Sequence, residues 1–331
     1  MHELPGVLQL HILQLLDHAA LHAAEQVSTS FLALVRQHEL WRHLVDTCVA
    51  YGNTYNLAHN WKTLACVAQC PSMANQHLLS GIQSFSSADR PSESPANTLT
   101  HSHCWMALQM ATMDDANDAI RTGERLQHCC GCSVGDSCYW SSSVSTNPNA
   151  NEFIEYTFQH PCVVSAVQIV PYRVFWHPQS PTYAPKRVHF AFYDEKSIRP
   201  QDVLKWRLEP FFATGEFVVE NEMKLQEFSL GQKVAIGTKT IMRVTLMGRQ
   251  QAQTFVLPQT FPNENEHPKY YCCLSYVNVC GVRWKDQKTA NVALATSSAM
   301  TSNLRVAALT GLAVYFTACY KGLIGQSQRW E

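Results

Sequence analysis

The side chains with the richest chemistry gather in one stretch. Between 101 and 138 the chain runs HSHCWMALQ, and later LQHCCGCSVGDSC, so Cys104, His128, Cys129, Cys130, Cys132 and Cys138 join His101 and His103. Thiolate and imidazole are ligands that zinc accepts readily. The run CC-G-C, however, lacks the paired C-x2-C knuckles of a structural zinc site. The expectation is therefore a flexible, reduced thiol-rich loop, with no metal and no other cofactor. Asp114, Asp115 and Asp118 lie close together; they lack the register of an EF-hand loop and read as a solvated acidic turn. Cys129 and Cys130 could act as nucleophiles only with a partnered base, and the sequence locates none. H-E-x-x-H, the P-loop and G-x-G-x-x-G are all missing from the chain. An enzyme is not expected.

The elements that would position these groups follow from composition and period. The chain has 331 residues, 46% hydrophobic and 15% charged, with a formal net charge of -1. That apolar fraction fills a real core and excludes wholesale disorder. The charge balance and the lack of any Lys/Arg-rich run argue against nucleic-acid binding and against an anionic lipid surface. Cysteine numbers 13, an odd and scattered set. The opening MHELPGVLQL has no basic segment leading into an apolar one. Reduced thiols in the cytoplasm and/or nucleus are the expectation, rather than a disulfide framework.

Residues 1–50 read as helices. Leu8, Ile12, Leu15 and Leu16 recur with a helical period, Leu21, Ala24 and Val27 continue it, and Phe31, Leu32, Leu34 and Val35 follow Ser28 as N-cap. Leu40, Trp41 and Leu44 close the segment. Residues 51–82 predict a helical linker, with short helices at WKTLACVAQC and MANQHLLSGI. From about 138 the period becomes two, as in NEFIEYTF, KRVHFAFY and IMRVTLM. Strands without long intervening helices predict an antiparallel β-sandwich over 83–284, interrupted by the insertion at about 101–137. In the 285–331 tail, the apolar run Val306–Tyr320 is shorter than the roughly 20 residues a spanning helix needs. A packed tail helix is expected there, and a membrane role is not.

Leu4-Pro5, the amphipathic run Leu8, Ile12, Leu16, then Leu21, Val27-Ser28, Phe31 and Leu40-Trp41 together resemble the F-box. The order of positions fits, although Thr29-Ser30-Phe31 replaces the usual Cys-Lys-Trp after Val-Ser. The resemblance implies a three-helix F-box that docks on the adaptor Skp1 and, through it, on a cullin. A physical argument runs alongside. Three helices in about 40 residues bury little of their surface. Leu4, Pro5, Leu8, Ile12, Leu16, Leu21, Val27, Phe31 and Trp41 exceed what so small a core hides, and the surplus should mate with another protein.

CYWSSS, NEFIEYTF with PCVVSAVQIVPY, YAPKRVHFAFYD and YYCCLSYVNVCGV resemble strands of the galactose-binding-like (discoidin) jelly roll, with PSESPANTL as its opening strand and turn. Joined to the N-terminal box, the arrangement resembles a plant and algal F-box family. It implies an α+β chain of two domains that serves as the substrate-recognition subunit of a Skp1-cullin-F-box ubiquitin ligase. The target would be an unknown protein or glycoprotein. Tyr172, Arg173, Phe175, Trp176, His177 and Tyr183 fall in one long loop, and aromatics with Arg can stack on sugar or anchor a peptide. The loop at 249–269, with Gln250, Gln251, Asn263 and Asn265, is a second candidate. Two other readings remain open: a lectin-like glycan-binding module, and an F-box protein acting with Skp1 outside a ligase.

Overall fold

A computed structural model of the chain describes residues 4–52, 61–72, 77–114, 121–126, 132, 137–177, 179–194, 209–237, 239–253 and 268–283. The apolar run at 306–320, the tail around it, and His128, Cys129, Cys130, Asp115, Asp118, Asn263 and Asn265 lie outside the described residues. The architecture is the expected α+β one, helices first and a two-sheet sandwich after. The described residues group into two compact units, one from 4–48 and 61–70, the other from 49–52 and the described residues between 71 and 283.

The first unit holds α1 (Gly6–Gln14), α2 (His18–Val27), α3 (Thr29–Gln37), α4 (Leu40–Cys48) and α5 (Trp61–Gln69). The caps follow from side chains that can accept. Asp17 accepts from the Ala20 N–H at 2.8 Å and starts α2, and Ser28 accepts from the Ser30 N–H at 3.2 Å and starts α3. The expected three helices of this region are four, because Glu39 adopts φ +48 between α3 and α4. A left-handed non-glycine residue ends a helix, and here it splits one apolar pattern into two elements. Inside, Leu13, Leu21, Val35, Leu40, Trp41, Val45 and Leu64 form the buried set.

Glu25 ties three helices together. Its carboxylate accepts from the Trp41 indole N–H at 2.7 Å and from the Lys62 ammonium, which also lies 5.2 Å from the Trp41 ring. Glu25→Ala leaves a buried indole donor unpaired. The unit is expected to lose about 1–3 kcal/mol, read as weakened amide protection along α4 and α5.

His22 makes this unit acid-sensitive. Burial, with the Lys62 ammonium and His18, holds its imidazole below the ordinary 6.5 against the pull of Glu25 3.9 Å away. The folded unit thus binds this proton more weakly than the unfolded chain does. Stability is full above the ordinary value and falls as pH drops below 6.5 towards the depressed one. The unit's unfolding midpoint should decline over that window, and His22→Gln should flatten the decline.

The second unit is a sandwich. One sheet runs β1 (Val49–Tyr51), β9 (Gln226–Ile236), β5 (Cys162–Pro171), β11 (Cys273–Arg283), β3 (Trp140–Ser141). The other runs β2 (Leu79–Phe85), β4 (Glu152–Phe158), β10 (Thr240–Arg249), β6 (Pro185–Asp194), β7 (Phe212–Ala213), with β8 (Phe217–Val218) also on β6. Pairing is antiparallel except for β1, which lies parallel to β9. Alternate residues point into one core. Ile154 and Tyr156, Phe190 and Phe192, and Met242 and Val244 from one sheet meet Val167, Ile169, Val277 and Val279 from the other.

Three sequence expectations change here. The domain limits at 50 and 83 cut through β1 and β2. The short helix expected at MANQHLLSGI gives way to β2 from Leu79. Leu79 and Ile82 are three apart, which reads as helical, but register shifts at Leu79/Gly81 and Ile82/Ser84 let both pack on the core from a strand. PSESPANTL forms a loop and a 3-10 helix (Pro95–Leu99) rather than a strand. Asn97 anchors that helix by donating to the carbonyls of Ser92, Ser137 and Tyr139.

The insertion is built, not loose, in its described residues. Ser102 caps α6 (His103–Asp114) by accepting from the Trp105 N–H at 3.1 Å. Cys104 and Trp105 then join Val170, Tyr172, Cys273 and Tyr276 in a second apolar cluster. Those strand residues face away from the main core, which is why β5 and β11 are buried almost throughout. No described helix is long and apolar enough to cross a membrane.

Candidate functional site

The first candidate is the outer surface of the helical unit. The apolar residues of α1 are spread round the helix, with Gln9, His11 and Gln14 among them. Only Leu13 of α1 is fully buried. On the opposite side Val7 is 79% exposed and Leu15 68%, eight positions apart and so on one helical face, with Leu8 beside them at 41%. Val27, at the end of α2, is 56% exposed. A cleft of about 50 Å³ opens between α1, α2 and α4, lined by the leucines at 13, 16, 21, 40 and 44 together with Gln14, His43 and Thr47.

The nine expected docking residues divide accordingly. Pro5, Leu8 and Val27 are exposed, and Leu4, Ile12, Leu16 and Phe31 are half-buried. Leu21 and Trp41, at 1% and 8%, belong to the interior: Leu21 lies in the buried set and Trp41 is held by Glu25. They shape the unit rather than its surface. Val7 and Leu15 were not among the expected nine; their separation by about two helical turns was the available signal.

The second candidate is the loop that begins after β5, and most of its aromatic side chains are packed. The Tyr172 ring stacks on Tyr139 with centroids 3.9 Å apart and planes 7° from parallel, and Phe175 meets Tyr172 edge-on at 6.3 Å. Tyr172 and Phe175 are fully buried, and His177 and Tyr183 are nearly so. Arg173 donates through Nε to the Ser180 carbonyl at 3.0 Å and lies 5.6 Å over the Phe175 ring. Trp176 is half-buried. Of the six residues expected to capture a target, Tyr172, Phe175, His177 and Tyr183 pack into the interior, and Arg173 and Trp176 keep partial exposure. Gln250 is also spoken for, its amide donating to the carbonyls of Pro185 at 2.8 Å and Val219 at 2.7 Å.

The third candidate is a group of side chains that lie far apart in sequence. His103, Cys104, Cys132 and Cys138 bring one imidazole nitrogen and three sulfurs together, all within 4.8 Å of one another. The fold supplies a His-Cys pair from the first turn of α6 and a Cys-x5-Cys pair from the approach to β3, so no C-x2-C knuckle is needed. His101, the neighbouring histidine, stays outside this set. Its ring packs edge-on against Trp105 at 5.2 Å and Tyr276 at 4.4 Å.

The F-box-like family model matches residues 1–47. No curated protein matches the chain. Among solved structures, the chain is similar to chitosan-binding module 1 of a chitosanase/glucanase from Paenibacillus sp. IK-5, at 8% identity and TM-score 0.33, over 62% of this chain and 98% of that one. It is similar to the family 32 CBM from C. perfringens NanJ solved with galactose, at 8% identity and TM-score 0.32, over 63% and 98%. It is also similar to reduced XRCC1 solved with the DNA pol beta catalytic domain, at 10% identity and TM-score 0.30, over 63% and 97%. The ligands and partners of those structures are their own.

Proposed function

We propose that this chain, whose residues 1–47 form an F-box-like domain, is a substrate receptor of a Skp1-cullin-F-box ubiquitin ligase. The observation that carries the reading is the set of exposed apolar side chains of the helical unit, Val7, Leu8, Leu15 and Val27, in the segment matched by the F-box-like family. Large exposed apolar side chains on one face of a soluble unit mark a protein interface. The partner we assign to that face is a Skp1-like adaptor, which in turn engages a cullin.

The chemistry of such a receptor is proximity. Binding a target on the same assembly as a ubiquitin-charged enzyme raises its effective concentration without any new bond-making group on the receptor. The chain acts in this reading as a non-catalytic subunit in the cytoplasm or nucleus. The sandwich contributes a rigid target-binding scaffold. Within the 172–183 loop, Arg173 and Trp176 are the two expected capture residues that keep partial exposure.

Affinity purification of the full chain under proteasome inhibition, followed by mass spectrometry, tests the reading. Recovery of a Skp1-like adaptor, a cullin and a target that accumulates on inhibition is expected. Adaptor without cullin would replace the ligase role with an F-box role outside it, and recovery of neither would overturn the proposal.

A further inference from the structure

The geometry points to a structural zinc site in the sandwich unit, formed by His103 Nε2 and the Sγ atoms of Cys104, Cys132 and Cys138. Cys132 Sγ lies 3.9 Å from Cys104 Sγ, 3.9 Å from His103 Nε2 and 3.2 Å from Cys138 Sγ. Zinc bound tetrahedrally at about 2.3 Å from sulfur and about 2.0–2.1 Å from nitrogen sets its ligands about 3.5–3.8 Å apart. These three separations lie within a few tenths of an ångström of that range, and all four ligand atoms lie within 4.8 Å of one another. They are all far longer than the roughly 2.05 Å of a disulfide bond, and these three cysteines are unbridged.

Simple packing of small apolar thiols accounts for part of this arrangement, since Cys104 and Cys132 are 0% and 2% exposed. It does not account for His103. That residue is exposed, yet its ring nitrogen is turned towards the buried Cys132 sulfur. Four ligand atoms of the right type converge from two chain segments, as a metal requires and an apolar core does not.

The surroundings favour thiolate. Cys104 sits in the first turn of α6, whose N-terminus Ser102 caps, and the positive end of a helix stabilises an adjacent anion. The Tyr172 hydroxyl stands 4.0 Å from Cys104 Sγ, placed as an outer donor to the ligand sulfur. Four protein ligands leave no open position, which is the signature of a structural rather than a catalytic zinc. Its role follows from where the ligands come from. The ion would staple the start of α6 to the chain entering β3, closing a long insertion whose few apolar residues rest on the outer side of β5 and β11. Binding and folding of the insertion are then one event.

The test begins with metal analysis of the full chain after gel filtration in the presence of a chelator too weak to strip a closed site. About one zinc per chain is expected. Metal-free protein, or iron with inorganic sulfide, overturns the assignment. Cys132→Ser should lose the zinc and Cys48→Ser, in the helical unit, should keep it; zinc retained by Cys132→Ser also overturns it. Because Cys132→Ser could fail to fold, thiol alkylation of the unaltered chain supplies a second reading. Cys104, Cys132 and Cys138 should resist alkylation until a strong chelator is added, and cobalt reconstitution should then give thiolate-to-cobalt charge-transfer absorption. Alkylation of the three at the same rate with and without chelator contradicts the site.

Discussion

Arg249→Leu should destabilise the sandwich by about 3–5 kcal/mol, the range for removing one partner of a buried ion pair. The Arg249 side chain is 2% exposed and pairs with Glu152, itself 9% exposed. It also donates to the carbonyls of Ser143 at 2.8 Å and Tyr270 at 2.6 Å. Glu152 in turn accepts from the hydroxyls of Ser86 and Ser87. One guanidinium thus joins β10 to β4 and to three loops. Leucine fills part of the volume but leaves the buried Glu152 carboxylate without its cation, held only by the Ser86 and Ser87 hydroxyls, and takes one of the donors from each of the Ser143 and Tyr270 carbonyls. Chemical denaturation of the sandwich transition is the measurement. Adding Glu152→Leu should recover part of the loss, because the stranded charge goes with it. The Lys224 ion pairs with Glu220 and Glu222 are solvent-exposed, and Lys224→Ala should leave the same transition unmoved. A small effect of Arg249→Leu would mean that the loops at 86–87, 143 and 270 hold by other means.

The second large effect concerns binding. Val7→Asp with Leu15→Asp should weaken association with a Skp1-like adaptor by at least about 100-fold. Each apolar side chain covered at an interface is worth about 1.5–3 kcal/mol, and about 1.4 kcal/mol is tenfold in Kd. Both residues are largely in solvent in the chain by itself, so the helical unit should keep its helicity and its Trp41–Glu25 hydrogen bond. Leu21→Asp makes the useful contrast: it should abolish binding by unfolding the unit. Calorimetric titration together with far-UV circular dichroism separates the two mechanisms. Undiminished binding by the Val7/Leu15 variant would move the docking surface elsewhere.

Much of this was legible in the sequence because it rests on period. Val188, Phe190 and Phe192 alternate and do face the core, and the helical spacing through Val35 and Trp41 marks buried positions. What was not legible depended on events that leave no periodic trace. The two register shifts in β2 turned a strand into a helix-like spacing of three. The positive φ at Glu39 cut one apolar pattern into two helices. Aromatics in the 172–183 loop look identical in sequence whether they face a ligand or, like Tyr172 on Tyr139, face each other. The His103, Cys104, Cys132, Cys138 group was obscured most completely, since its ligands meet only after α6 folds back beside the entry to β3. The exposed face of α1 sits between these cases. Its apolar character was plain, but which side the bundle would leave uncovered was set by Leu13 turning inward.

Titration of the full chain with a purified Skp1-like adaptor at several temperatures is the most direct test of adaptor docking. A one-to-one complex is expected, with a binding enthalpy that grows more favourable with rising temperature, the negative heat-capacity change of apolar burial. A chain that stays folded and yields no binding heat, and no shift on gel filtration with the adaptor, would contradict it.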